Sequence, residues 1–271
     1  MKMVAASRLK KAKHAVESSR PYSDKIAEMI SSLVGNIAVR DNLNEKFPLL
    51  TGRGSSDKHL ILVISSDRGL CGGLNGATVR FAKSRINSLV ARGREVKVFC
   101  VGRKAYEQLR TPYASQMIDH ISGIFRSAIT YEVASSLASR LVKFFDEKQF
   151  DVCEVIYSKF KSAIAQEQVG KQIIPVPSIE PAFPVLESPV RYEPGEEEVL
   201  SELLLKSLAI QIYNTLLENS ASEQGARMAA MEAATNNAGK MIKNLTLVYN
   251  RTRQANITKE LIDIISGANA V

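Results

Sequence analysis

From Gly195 to about Gly267 the sequence contains no proline, and this stretch constrains the chain more than any motif in it. Pro194-Gly195 opens it. Glu196, Glu197 and Glu198 fill the first turn, where the positive end of a helix dipole favours carboxylates. About 70 residues rising 1.5 Å each give a helix on the order of 100 Å long, several times the usual globular length. Its apolar positions change character along the way. Leu200, Leu204, Leu208, Ile212 and Leu216 form an i+4 row suited to packing on a domain. Met231, Ala234, Ala238, Met241, Leu245, Val248, Thr252 and Ala255 alternate steps of three and four, the heptad seam of a coiled coil. Gly225 and Gly239 each cost about 1 kcal/mol relative to alanine. Such a helix needs a partner along its length.

The N-terminal stretch supplies a candidate partner. Residues 1–39 read as helix, with Tyr22, Ile26, Ile30, Leu33 and Ile37 on one stripe; Pro21 is expected to kink or divide it. Neither terminal helix can bury its apolar face alone, so the N-terminal helix is expected to run antiparallel along the seam. Arg8, Lys10, Lys11, Lys13 and His14 make its start basic. No aromatic residues are interleaved there for base stacking, so an acidic protein surface or solvent suits it better than nucleic acid.

Between the two helices the periodicity switches. Residues 41–58, with Pro48, Gly52, Gly54, Ser55 and Ser56, read as a linker. Leu60–Ile64 is a continuous apolar run, as in a strand buried on both faces. A turn over 67–75, a helix from Ala77, a strand over Glu95–Val101, a helix over Arg103–Leu109 and a strand over Met117–Ile121 follow. A helix from Ser127, a strand over Asp151–Lys159 and another over Val169–Pro175 complete the pattern, and prolines at 175, 177, 181, 184, 189 and 194 mark an extended exit. Strands alternating with helices predict a mainly parallel sheet with right-handed crossovers. The expected architecture is α/β: a long antiparallel coiled coil of N- and C-terminal helices (1–40 and 194–271) with an inserted Rossmann-like domain at 59–193.

Candidate chemistry is sparse. Cys71, Cys100 and Cys153, with His14, His59 and His120, show neither disulfide nor metal-ligand spacing. Asp67-Arg68-Gly69-Leu70-Cys71-Gly72-Gly73 lies where doubly wound folds hold phosphate. It lacks G-x-G-x-x-G, so it reads first as a tight turn allowing close backbone approach. Cys71 has no recognisable base partner, and Cys100 and Cys153 fall within strand patterns as small core residues. Glu260 and Asp263 share a helix face but no cleft. Net charge +8 points to acidic partners, and no apolar run reaches the length of a membrane span. A nucleotide-binding α/β protein with a coiled-coil extension is the second reading of these residues.

Ile257-Thr258-Lys259-Glu260-Leu261-Ile262-Asp263-Ile264-Ile265-Ser266-Gly267-Ala268 resembles the C-terminal signature of the γ subunits of F-type ATP synthases. Ser222-Glu223-Gln224-Gly225-Ala226-Arg227-Met228, Met1-Lys2-Met3-Val4-Ala5-Ala6 and Ser65-Ser66-Asp67-Arg68-Gly69-Leu70-Cys71-Gly72 resemble the same family, so the likeness spans the chain. It is closest to bacterial and mitochondrial forms, without the dithiol insertion of chloroplast members. Members usually carry further helical turns before the Met1 motif, so the pairing of the C-terminal tip is expected to involve residues preceding it. The resemblance implies a central-stalk rotor that couples proton-driven c-ring rotation to ATP synthesis on β subunits. It also implies partners among α, β, ε and the c-ring, no cofactor, no metal and no chemistry on this chain. The location implied is peripheral, at the cytoplasmic face of the bacterial inner membrane or the matrix face in mitochondria. By the family pattern Arg227, Arg253, Gln254, Thr258 and Glu260 contact β loops, Met1 and Lys2 lie near an acidic β loop, and Tyr192 and Glu193 lie near the foot.

Overall fold

The computed structural model describes residues 2–38, 46–176, 193 and 195–268. Two units are described separately, the first ending at Ala229 and the second beginning at Ala230.

The first unit is built on a five-stranded sheet, β1 (Lys58–Ile64), β2 (Glu95–Val101), β3 (Met117–Ile121), β4 (Val152–Phe160) and β5 (Gln166–Ile174), in the order β3-β2-β1-β4-β5. All neighbours are parallel except β4 and β5, which form an antiparallel hairpin. The apolar run of β1 is central, and its side chains alternate between two cores. Leu60, Leu62 and Ile64 meet Leu137, Leu141 and Phe145 of α5 (Tyr131–Asp146), together with Leu208, Ile212 and Leu216 of α6 (Glu196–Ala268). Ile61 and Val63 point the other way, to Val79, Ala82 and Ile86 of α3 (Leu74–Ala91) and Ala105 and Leu109 of α4 (Arg103–Leu109). A strand covered on both faces has no reason to alternate polar and apolar residues.

The N-terminal helix α1 (Lys2–Ala38) buries Ile26, Ile30 and Leu33 against Leu200, Leu203, Leu204 and Ile210 of α6, with Phe47 and Val176 at the edge. Ser19 Oγ donates to Asn214 Oδ1 at 2.7 Å, and Arg8, Lys11 and Ala15 face Leu217, Ser220 and Gln224 across a cleft. Rising numbers on α1 meet falling numbers on α6, so the pair is antiparallel as expected.

Several expectations change. Pro21 lies inside α1 without dividing it. The carbonyl it leaves without a helical donor is that of Glu17, and both residues are exposed to solvent. The expected linker contains a one-turn helix, α2 (Pro48–Thr51), and buries Phe47, while Val176 N donates to the Leu49 carbonyl. Helix α3 starts three residues early, at Leu74, and α5 starts four residues late, at Tyr131, because Ser127 and Thr130 before it are extended. The expected partner of the heptad seam is also corrected. Among the described residues α1 lies along the first part of α6, with Ser19 bonded to Asn214. Its large aliphatic stripe matches the Leu200–Leu216 row, and Met241, Leu245 and Val248 of the seam are 65%, 61% and 61% exposed. The proline exit over 177–192 lies outside the described residues.

Candidate functional site: the seat of the long helix

Strand order reverses between β1 and β4, because the chain proceeds from β1 to β2 and β3 on one side and places β4 on the other. Open α/β sheets hold their ligands outside the carboxyl ends of the strands at such a switch point. Here residues of α6 lie there. The β1–β4 pairing ends at Val63 and Ile156, two residues before Ser158. Ser158 N–H donates to Asn219 Oδ1 at 3.4 Å, and Ser222 Oγ donates to the Ser158 carbonyl at 2.8 Å. The Ser158 hydroxyl bonds Thr78 of α3 at 2.9 Å. Side chains three apart on one helix face thus take up the backbone groups that β1 would otherwise have paired. Gly225 explains its own cost to the helix. A Cβ there would come within 3.1 Å of Phe160 Cε2 and 3.3 Å of Ala163 Cα, so its absence lets the β4–β5 hairpin approach closely.

The Gly-rich turn after β1 is built around Asp67, which is 5% exposed. Its Oδ1 accepts the N–H of Arg103 at 3.1 Å and of Gly123 at 2.9 Å, and its Oδ2 accepts that of Phe125 at 3.0 Å. These donors are of the kind that cradle phosphate in related folds, and a carboxylate of the chain itself holds them. With the crevice filled by α6, the geometry does not support the nucleotide-binding reading. Beside the turn lies a cleft of about 400 Å³ lined by Arg68, Arg103, Lys104 and Arg126 around Asp67 and Gly69.

Cys71 is buried with Leu74 against Ala226, and Asn75 Nδ2 donates to its Sγ at 3.2 Å. Burial pushes the thiol above its usual range, which is unfavourable for a nucleophile. Cys100 is pushed up to about 12 by burial, and Cys153 is raised for the same reason, in keeping with core roles. Among the described residues no cluster of His, Cys, Asp and Glu could hold a metal ion, and no helix is long and apolar enough to cross a membrane.

The expected contact residues fall into separate places. Arg227 turns inward, with Nη2 2.6 Å from Glu223 Oε1 and 3.1 Å from the Gly69 carbonyl. Arg253, Gln254, Thr258 and Glu260 are all exposed on the second unit. Seven residues apart, Arg253 and Glu260 share a face; Gln254 and Thr258 share another, about 100° round the helix. Thr258 Oγ1 donates to the Gln254 carbonyl at 2.9 Å. Lys2 is exposed on α1, Glu193 is exposed, and Met1 and Tyr192 lie outside the described residues. Sequence reasoning missed Asp67, Asn219, Ser222 and the Glu223–Arg227 pair as fold-organising groups. For Asn219, Ser222 and Glu223 the signal was polar residues continuing the apolar row of the long helix.

Comparison with known proteins bears on this arrangement directly. The family described as ATP synthase matches residues 1–271. The ATP synthase gamma chain of Paramagnetospirillum magneticum is 46% identical over 274 residues, covering 100% of this chain and 92% of its own length. That of Bradyrhizobium diazoefficiens is 47% identical over 271 residues with the same coverage. The chain belongs to the ATP synthase gamma family. A chain of the Tetrahymena thermophila mitochondrial ATP synthase central stalk and c-ring structure superposes with a TM-score of 0.65 at 26% identity, covering 87% of this chain and 97% of its own. One from the Euglena gracilis mitochondrial ATP synthase, at 18% identity and a TM-score of 0.62, covers 99% of this chain and shares the gamma fold.

Proposed function

We infer that this chain is the central-stalk rotor subunit of an F-type ATP synthase, turning with the c-ring inside a ring of α and β subunits and passing rotation to the catalytic sites. The observation that carries the reading is α6 itself. Its first half is packed into an α/β body, while its second half is a continuous helix whose apolar residues Met241, Leu245, Val248, Leu261 and Ile265 are 53–65% exposed. Apolar exposure on that scale suits a shaft enclosed by partners in the assembled state. The relatives carry the gamma-chain name, and the structural neighbours come from central-stalk and F1/c-ring assemblies.

The finer reading rests on the likeness to the family. The chain performs no chemistry; ATP is made or hydrolysed on β. Arg253, Gln254, Thr258 and Glu260, spread over two faces of α6, contact β loops through scattered polar bonds. A rotor must not bind one orientation much better than another, because a ligand that prefers one state traps it there. Met1 and Lys2 lie near an acidic β loop, and Tyr192 and Glu193 near the foot, where ε and the c-ring attach. The complex is membrane-associated and this subunit is peripheral to it, on the cytoplasmic face of the bacterial inner membrane.

Co-expression with the α and β subunits of the same synthase tests the reading. A defined complex with ATP hydrolysis activity is expected. Failure of the chain to enter such a complex, or hydrolysis that proceeds without rotation of a label on α6, rules it out.

A further inference from the structure

Helix α1 is held in two different ways on either side of Pro21. After it, Ile26, Ile30 and Leu33 are 4%, 1% and 0% exposed, packed with Leu200, Leu203 and Leu204 of α6. Before it, among residues 2–20, Ala5 alone is buried, and Arg8, Lys10, Lys11 and Lys13 are exposed. An alanine removes far less apolar area from water than a leucine or isoleucine, so the first part of the helix is the more weakly seated. Two clefts lie along that part. One, of about 310 Å³, opens between Lys11 and Ala15 of α1 and Ile129 and Leu217. The other, of about 500 Å³, opens between Val16 and Arg20 of α1 and Tyr157 and Lys171 of the β4–β5 hairpin.

Ser19 ties this weakly seated part to α6. Its hydroxyl lies 2.7 Å from Asn214 Oδ1 and 2.9 Å from the Val16 carbonyl. One hydroxyl proton thus faces two acceptors, and it keeps a partner inside α1 when the bond across to Asn214 opens. At Pro21, two residues on, the helical bond to the Glu17 carbonyl is absent already, so bending there sacrifices no further hydrogen bond.

We propose that Pro21 is a hinge and the Ser19–Asn214 bond its latch: residues 2–19 form an arm that swings away from α6 as a unit, while residues 22–34 stay seated. The helix remains continuous through the swing, and the flanking clefts give the arm room to move sideways.

Hydrogen exchange of the full-length chain, read by mass spectrometry on overlapping peptides, tests this. A hinge gives a step at Pro21. Amides over 8–19 are expected to exchange at one common rate, at least about tenfold faster than those over 26–34. Simple fraying would instead give a gradient rising smoothly toward the start of the chain. Asn214→Ala and Ser19→Ala delete the same bond, so each carries the readout if the other fails to fold. Each is expected to raise the rates over 8–19 about fivefold, the scale of one hydrogen bond, and to leave 26–34 within about twofold. Pro21→Ala supplies the missing helical bond and is expected to slow exchange over 8–19 about tenfold or more. With Pro21→Ala in place α1 moves as one rod, so removing the latch then changes both stretches by the same factor. A gradient without a step, a latch variant that shifts both stretches equally while Pro21 is present, or unchanged rates over 8–19 in Pro21→Ala overturns the proposal. The measurement needs no partner, so failure of the rotor reading leaves it intact.

Discussion

Replacing Asp67 with alanine removes the acceptor of three backbone N–H groups at once, those of Arg103, Gly123 and Phe125. Each is a part-buried bond to a charged group, and all three donors lose that partner together. The expected loss is about 4 kcal/mol, seen as a lower urea midpoint with an unchanged slope. Glu223 makes a different residue-scale prediction. Burial is the largest influence on its carboxyl and raises it above the usual range, with Arg227 pulling the other way. The folded chain therefore binds a proton more readily than the unfolded one. The stabilisation from this group is complete below the unfolded value near 4.5 and is lost as pH rises through the higher folded value. Urea unfolding from pH 4.5 to 7 should show this downward trend in the starting protein and a flatter one in Glu223→Gln. Equal slopes in the two proteins contradict the assignment.

At the scale of elements, the seat between α1 and α6 rests on a few large side chains. Leu33 is fully buried among Leu200, Leu203 and Leu204. Leu33→Ala is expected to cost about 3 kcal/mol and to speed tryptic cleavage after Lys25, as α1 lifts from α6. Cleavage at an unaltered rate would show that α1 is held elsewhere. The sequence made such elements legible where one period dominated. β2, α4 and β3 stand at their expected residues because runs such as Val96-Lys97-Val98-Phe99-Cys100 admit one reading. The start of α5 was misplaced because Ile129 continues the apolar spacing of Val133 and Leu137, although Thr130 before the helix is extended. Strand order and the filling of the switch-point crevice were not legible. They depend on Asn219 and Ser222 meeting a strand more than sixty residues earlier, and a polar residue in an apolar row does not name its partner. The family likeness named Arg227 as a contact residue; its bonds to Gly69 and Glu223 became visible only once the turn and the helix were side by side.

For the molecule as a whole, α6 passes through two environments without a break in its hydrogen bonding. Leu203, Leu204, Leu208, Ile210, Ile212 and Leu216 lie in the cores of the first unit. From Met241 to Ile265 they face solvent, with Ile242, Leu247 and Tyr249 at 65%, 69% and 64% exposure. Intrinsic propensity alone leaves long helices marginal in water, and Gly239 weakens the exposed part further. Stability within one helix should therefore be uneven. In the isolated chain, amides over 241–265 are expected to exchange with solvent at least about a hundredfold faster than those over 203–217, because only the latter are tied to a packed core. Adding α and β subunits should slow exchange over 241–265 selectively, as partners cover the exposed leucines and isoleucines. Equal protection of both stretches in the isolated chain would mean that the second half is stabilised without partners, removing the physical reason for treating it as a shaft completed by the surrounding ring.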